Sequence, residues 1–244
     1  MYNHVQSMKE VLRHILHISG LESILRAYKN LRGYKTGHLA SASLEERFHQ
    51  IYTTGVWVHS TGQESLSGLG SEAAVVKAIA PRLSDHLQSL KAQSLLDVGC
   101  GDFRSFRDCQ FNGHYIGVDI VGDVIADNLN RYGGKTREFR KLDAVVGPLP
   151  EADVVLLREV LFHLSFEDAK KVLRNVTLSG AKYLIATNDG SIWFNSDISS
   201  GDFRILNLLK SPFCLPPPLH KIDDSLVAEG RILATWQVQN LPIL

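Results

Sequence analysis

The sequence predicts an α/β fold in which a mostly parallel β-sheet carries helices on both faces. From about residue 71 onward, short apolar runs typical of strands alternate with segments whose apolar residues recur at helical spacing. A glycine-rich turn directly follows the first of these strands, and an aspartate stands at the end of each of the first three. Because ligands of open α/β sheets bind beyond the carboxyl ends of the strands, this pattern predicts a binding site at that edge.

The individual elements follow from the same periodicity. Two short amphipathic helices are expected before residue 33, then a linker-like stretch from Gly33 to Ser43. The segment 191–225 contains Pro216 to Pro218, which cannot join a sheet interior, so we expect it to cover the substrate side of the site. Strands are predicted at 94–98, 115–119, 138–142, 153–158, 182–187 and 231–238, and further helices at 44–52, 71–90, 104–110, 122–132 and 166–178. Residues 1–60 are therefore assigned to an N-terminal helical extension, and residues 61–244 to the main domain.

Composition excludes several classes of partner. The formal net charge of the 244 residues is zero, which provides no basic surface for nucleic acid. The three cysteines, Cys100, Cys109 and Cys214, form no C-x-x-C pair, so a disulfide framework or a zinc site is not expected. No apolar run is long enough to cross a bilayer, and the N-terminus lacks the apolar core of a signal peptide. We therefore expect a cytoplasmic protein without a membrane partner.

The tetrapeptide GDFR occurs twice, and only the first copy follows a strand. That copy, Gly101 to Arg104, lies in LLDVGCGDFRSF, where Gly99 and Gly101 permit a tight turn and a close approach of the backbone to a ligand. The loop is not a dinucleotide fingerprint, since Arg104 occupies the position of the third glycine. Asp97, just ahead of the glycines, would repel a pyrophosphate but would favour a cationic ligand.

Two further aspartates complete the predicted pocket. Asp119 ends the next strand, 18 residues after Gly101, where an acidic residue typically binds both hydroxyls of a ribose. Asp143 ends the third strand and is placed to receive an exocyclic amino group. Such a pocket suits a nucleoside with a positively charged, non-phosphorylated tail, a description that fits S-adenosylmethionine.

The ordered motifs LLDVGCGDF, YIGVDI, KLDAV and ADVVLLREVLFHL resemble those of class I S-adenosylmethionine-dependent methyltransferases over roughly residues 70–190. The resemblance implies a seven-stranded Rossmann-like sheet of order 3-2-1-4-5-7-6 with the last strand antiparallel. It also implies that Gly99 and Gly101 line the methionine portion of the cofactor, Asp119 its ribose and Asp143 its adenine, while Asp97 lies near the methionine amino group. The adjoining residues of these motifs complete the expected cofactor site: Cys100, Ile120, Ala144 and Arg158.

Methyl transfer needs an aligned nucleophile, and a hydroxyl acceptor also needs a base. In this fold the positions after strands four and five face the transferred methyl group. His163 is the first candidate for the base, because its ordinary pKa lies near neutrality. Glu159 is the second, and alternatively holds the cofactor or pairs with Arg158. Glu159, Asn188 and Asp189 have oxygen ligands that suit magnesium, but the rest of that pattern is absent and we expect no metal.

The acceptor side is less well defined by the sequence. Tyr52, Trp57, Asn188 and Trp193 are assigned to it. Core packing is the alternative for the aromatic residues, and it is the more ordinary role for Tyr52 and Trp57. The stretch Ser67 to Ser71, S-G-L-G-S, resembles a glycine-rich segment of small bacterial methyltransferases; it either binds an anionic group or simply leads into a helix. The second GDFR copy, Gly201 to Arg204, follows no strand and is expected to close the acceptor side.

These observations lead to one preferred function and several alternatives. The preferred function is O-methylation of a small-molecule or sugar hydroxyl by S-adenosylmethionine, with a small-molecule or saccharide acceptor and a possible homodimer formed through the N-terminal helices. The main alternative is an inactive cofactor-binding scaffold that docks a partner through those helices. Aminopropyl transfer and a nicotinamide-dependent dehydrogenase are the remaining alternatives.

Overall fold

The computed structural model describes residues 28, 31–32, 36–41, 43–57 and 68–243. The α-helices are α1 (Leu44–Thr54), α2 (Ala73–Ser89), α3 (Arg104–Arg107), α4 (Gly122–Tyr132) and α5 (Phe166–Leu178). The strands are β1 (Ser94–Val98), β2 (His114–Asp119), β3 (Arg137–Lys141), β4 (Val154–Leu157), β5 (Tyr183–Asp189), β6 (His220–Asp223) and β7 (Arg231–Gln237). Most of the two helices predicted before residue 33, and any dimer contact they make, lies outside the described residues.

The seven strands form one sheet of order β3-β2-β1-β4-β5-β7-β6, which confirms the predicted α/β, Rossmann-like fold. β1 pairs in parallel with β2 and β4, while β7 runs antiparallel to both β5 and β6. The strand β6 is missing from the sequence-based assignments. It has only four residues, of which Ile222 alone is buried, so it has too little apolar periodicity to be detected.

Helices cover both faces of the sheet. On one face α2 buries Ile79, Leu83 and Leu87 against alternate side chains of β1 and β4. On the other face α5 packs Val172 and Val176 against the side chains of β1 and β4 that point in the opposite direction. Because β1 and β4 are central and parallel, nearly all their side chains on both faces are buried, which explains why their sequences are continuously apolar apart from Ser94 and Asp97. Within the described residues, no helix is both long and apolar enough to span a bilayer.

Candidate functional site

A cavity of about 860 Å³, open to solvent, lies at the carboxyl ends of β1, β2 and β4. Most of its lining residues come from the loop after β1, the ends of β2 and β3, the loop after β4, and α1. The sheet topology creates it, since the chain leaves β1 toward β2 on one side and enters the sheet again at β4 on the other.

Backbone hydrogen bonds fix the loop after β1 in a sharp turn. The amides of Gly99 and Cys100 both donate to the carbonyl of Val118, at 2.8 and 3.0 Å. Gly99 has φ +70°, and a Cβ at this position would lie 2.7 Å from Cγ2 of Val160. Glycine is therefore required here both by backbone conformation and by the approach of the loop that follows β4.

Asp119 joins this loop to the end of β2. One of its carboxylate oxygens accepts the amide of Gly101 at 3.1 Å and the other accepts that of Val121 at 3.0 Å. Burial nevertheless raises the pKa of Asp119 above its ordinary value. Each oxygen keeps a further lone pair, so the carboxylate can still accept hydrogen bonds from two ligand hydroxyls. Asp119 and its neighbour Ile120 both line the cavity.

Asp97 lies behind the loop and is not among the residues that line the cavity. Its carboxylate accepts a 2.7 Å hydrogen bond from the Tyr115 hydroxyl, and burial raises the pKa of Asp97 to about 7. The carboxylates that do line the cavity are those of Asp119, Asp143 and Glu159. The attraction of the site for a cation therefore rests on these three residues.

Asp143 lines the cavity at the end of β3. It accepts the amide of Val145 at 2.9 Å through one oxygen, and the other has no partner within the described part of the chain. The cavity lining also includes a set of aliphatic side chains: Leu44, Leu142, Ala144, Val145, Leu164 and Val172. A flat, weakly polar ring with one amino group suits this combination.

Glu159 and Arg158, at the end of β4, belong to a buried network of charges. Arg158 donates to the carbonyl of Gly70 at 2.7 Å and to Asp224 at 3.1 Å. Glu159 accepts from Arg231 at 2.8 Å through Oε2, whereas its buried Oε1 has no hydrogen-bond partner among the residues that the structure describes. Burial raises the pKa of Glu159, although the nearby arginines oppose this shift. Both residues line the cavity. The two terminal nitrogens of Arg158 are engaged by the protein, whereas its buried Nε has no hydrogen-bond partner among the described residues.

His163 lies in the 3-10 helix Leu161–His163 and lines the same cavity. Its Nδ1 is 3.0 Å from the carbonyl oxygen of Asp202. Because a carbonyl only accepts, Nδ1 must carry the proton, and Nε2 of the neutral ring keeps its lone pair. Burial lowers the pKa of His163 to about 4, so the ring is neutral at pH 7. Trp57 lies against it with 4.4 Å between ring centroids.

The second GDFR copy holds the segment that carries His163. The amide of Gly201 donates to the carbonyl of His163 at 2.7 Å, and that of Arg204 donates to the carbonyl of Phe162 at 3.0 Å. The N-terminal part of the chain supports this loop in turn, since Nε2 of His38 lies 2.9 Å from the carbonyl oxygen of Gly201. The two copies of GDFR therefore have different roles: the first continues the loop after β1, and the second supports the loop after β4.

Comparison with known proteins is consistent with this geometry. Residues 96–178, from β1 to the end of α5, match the family model described as a methyltransferase domain. Over these residues the chain is similar to a methyltransferase domain. No curated protein sequence matches the chain.

Two solved structures superpose on this chain with TM-scores above 0.5 at low sequence identity. Human N-acetylserotonin methyltransferase, in complex with S-adenosylmethionine, superposes with a TM-score of 0.53 at 12% identity, covering 86% of this chain and 61% of that one. The protein TnmH superposes with a TM-score of 0.52 at 16% identity, covering 68% of this chain and 56% of TnmH. The methyltransferase domain of bacterial CtHen1 superposes with a TM-score of 0.39 at 16% identity, covering 47% of this chain and 66% of that one. The chain thus spans less than two thirds of these structures.

Two residues that we assigned to the substrate side lie away from the cavity. The side-chain oxygen of Asn188 accepts the amide of Leu208 at 2.6 Å, which anchors the loop that follows β5. Trp193 is 72% exposed and does not line the cavity. Within the described residues, no group of three or more His, Cys, Asp or Glu side chains is arranged to hold a metal ion. Tyr52 and Trp57, by contrast, line the cavity together with His163.

Several lining residues of the cavity were not anticipated from the sequence. Leu44 and Phe48 reach the cavity from α1, which lies along its length. α1 is joined to the end of β3 by the ion pair of Glu45 with Lys141, at 2.6 Å. The amphipathic pattern of α1 predicts a buried face, but it does not reveal that this face closes a binding site.

Proposed function

We propose that this chain transfers the methyl group of S-adenosylmethionine to a hydroxyl of a small molecule or sugar, with His163 as general base. One observation carries the proposal: His163 and Asp119 line the same cavity. Asp119 supports the glycine turn and keeps lone pairs for ribose hydroxyls, while the unprotonated Nε2 of His163 is available to an acceptor. The cavity thus combines a nucleoside site with a neutral base.

The remaining lining residues divide between the two ligands. Gly99, Cys100 and Gly101 would hold the methionine portion, and Ile120, Asp143 and Ala144 the adenosine. Glu159 is suited to a cationic or hydrogen-bond-donating ligand group, since its buried Oε1 has no donor among the described residues. Arg158 supports the site by joining the loop at Gly70 to Asp224 through its two terminal nitrogens.

The chemical step is an in-line displacement. A lone pair of the acceptor oxygen attacks the methyl carbon, the carbon–sulfur bond breaks with its electron pair on sulfur, and the hydroxyl proton passes to Nε2 of His163. The products are a methyl ether and S-adenosylhomocysteine, and the imidazolium then returns its proton to solvent. The protein contributes alignment, exclusion of water and the base.

The test is incubation of the full chain with methyl-labelled S-adenosylmethionine and a panel of hydroxylated small molecules and sugars. We expect label in a methyl ether with the wild type and a strong reduction in His163→Asn. Asparagine retains an N–H donor in the position of Nδ1 but lacks the base at Nε2. Cofactor binding without turnover of any acceptor would favour the scaffold instead, and absence of cofactor binding would refute the proposal.

A further inference from the structure

We propose that the acceptor is an aromatic hydroxyl, a phenol-type group whose ring is bound by the aromatic side chains around His163. This inference rests on the proposed function and specifies its substrate class. Three independent features of the cavity carry it: where its aromatic residues lie, which charges it presents, and how its base is held.

The aromatic side chains of the cavity are concentrated at the His163 end. The Trp57 ring lies over the His163 imidazole at 4.4 Å with an interplanar angle of 34°. Phe48 and Tyr52 meet Trp57 edge-on, at centroid distances of 6.0 and 5.8 Å. The other apolar side chains that line the described cavity are aliphatic. Among the described lining residues, offset or edge-on aromatic partners for a planar ring therefore come from the cluster around His163.

The second feature is charge. Arg158 is the only arginine or lysine that lines the described cavity, and it is held by Asp224 and by the carbonyl of Gly70. Among the described residues, the nearby Glu159 carboxylate has a buried oxygen without a donor. A carboxylate or phosphate beside the reacting hydroxyl would therefore meet this carboxylate, while the charge of Arg158 is already balanced by Asp224. A neutral acceptor fits better.

The third feature is the strength of the base. The hydrogen bond of Nδ1 to the Asp202 carbonyl fixes the tautomer, and burial between Trp57 and Phe203 disfavours the charged ring, so Nε2 is a weak base. An aromatic hydroxyl resembles tyrosine, with a pKa of about 10. An alkyl hydroxyl is closer to water, at about 15.7. A weak base can assist removal of the phenolic proton far more readily.

The experiment compares matched acceptors that differ only in aromaticity. Purified full chain receives labelled S-adenosylmethionine with 2-naphthol or its saturated analogue decahydro-2-naphthol, with phenol or cyclohexanol, and with free monosaccharides. We expect label in the aromatic member of each pair and little in the other compounds. S-adenosylhomocysteine binding is measured on the same preparation by calorimetry, so that cofactor binding is assessed separately from acceptor choice.

A variant tests the binding surface itself. Trp57→Leu should lower kcat/KM for 2-naphthol roughly tenfold, mainly through KM, because one aromatic contact is lost. Its affinity for S-adenosylhomocysteine should stay close to wild type. Phe111→Leu is the matched control, since Phe111 is a partly buried aromatic residue that does not line this cavity.

Each outcome bears on one of the two proposals. Methylation of saturated or sugar hydroxyls as fast as aromatic ones, or cofactor binding without methylation of any aromatic hydroxyl, would overturn the acceptor class. Failure to bind S-adenosylhomocysteine would overturn the proposed function itself. The wild-type panel needs no variant, so the test stands even if Trp57→Leu does not fold.

Discussion

Nδ1 of His163 donates a 3.0 Å hydrogen bond to the backbone carbonyl of Asp202, and this bond determines which nitrogen of the ring can accept a proton. The carbonyl belongs to the second GDFR copy, whose Gly201 and Arg204 amides also bind the segment Phe162–His163. A loop far from the glycine turn in sequence thus orients the candidate base. This hydrogen bond and the nearby Asp202 charge both favour the imidazolium, but burial outweighs them and lowers the pKa of His163.

Substitution of His163 tests the role of the base. We expect His163→Asn to lower kcat by roughly 10²- to 10⁴-fold, the usual contribution of a general base, with unchanged affinity for S-adenosylhomocysteine. Steady-state kinetics and titration calorimetry measure the two quantities. An equal loss of cofactor affinity would instead assign His163 a structural role.

The pH dependence of kcat provides a second test of the same group. Because burial lowers the pKa of His163 to about 4, the base should already be unprotonated at pH 6. The wild-type kcat should therefore rise through about pH 4 and stay level from pH 6 to pH 8. A break near 6.5, the ordinary pKa of histidine, would contradict the buried geometry.

The ion pair between Arg158 and Asp224 should contribute strongly to stability, because both side chains are almost fully buried, at 4% and 2% exposed. Asp224→Asn leaves the guanidinium without its counter-charge and should lower the free energy of unfolding by about 3–5 kcal/mol. The neighbouring ion pair of Arg82 with Asp223 provides the control, because its side chains are 54% and 62% exposed. Asp223→Asn should leave the urea midpoint almost unchanged, and equal effects of the two substitutions would refute this reasoning.

Gly99 should not tolerate a side chain. Gly99→Ala combines a positive φ with a Cβ at 2.7 Å from Val160, so we expect a loss of about 1–3 kcal/mol in unfolding free energy and weaker cofactor binding. Gly134→Ala is the control, since nothing lies within 4 Å of its Cβ position. The double variant Gly99→Ala, Val160→Ala should recover part of the stability, and no recovery would mean that the clash is not the cause.

His86 should make the protein less stable in mild acid. Burial, with a smaller contribution from His220, lowers the pKa of His86 to about 4, and its Nε2 lies 2.8 Å from the Thr235 hydroxyl. Between about pH 4 and 6.5 the unfolded chain then binds more protons at this residue, so stability falls as pH falls through that window.

Thermal denaturation of wild type and His86→Gln from pH 7.5 to 4.5 measures this contribution. Asp97 and His163 titrate in the same range, so only the difference between the two proteins is informative. The Tm of the variant should depend less on pH. Parallel curves for the two proteins would show that His86 does not contribute.

Much of the fold was predictable because its central strands are continuous apolar runs. The predicted bounds of β1, α4 and α5 agree with the structure residue by residue, and the strand order implied by the family resemblance is confirmed. β6 was missed because three of its four side chains are exposed. A strand that buries a single residue after a proline run has no period that a sequence pattern can reveal.

The site was predictable only where local sequence determines it. The turn at Gly99 and the position of Asp119 follow from short motifs, and both line the cavity together. By contrast, the sequence does not indicate that Asp97 accepts a hydrogen bond from Tyr115. It also does not indicate that Trp57 lies against His163, or that the Asp202 carbonyl orients the His163 ring. These contacts join segments that are distant in the chain, and they depend on packing between elements rather than on residue spacing.

Titration calorimetry with S-adenosylhomocysteine is the most direct test of the central claim that the cavity around Asp119 binds this nucleoside. We predict saturable one-site binding to the wild type, weakened roughly 10- to 100-fold in Asp119→Asn, because a charged hydrogen-bond acceptor is lost. The exposed Asp85→Asn should bind as the wild type does. No heat with S-adenosylhomocysteine, together with saturable binding of NADH, would contradict the account.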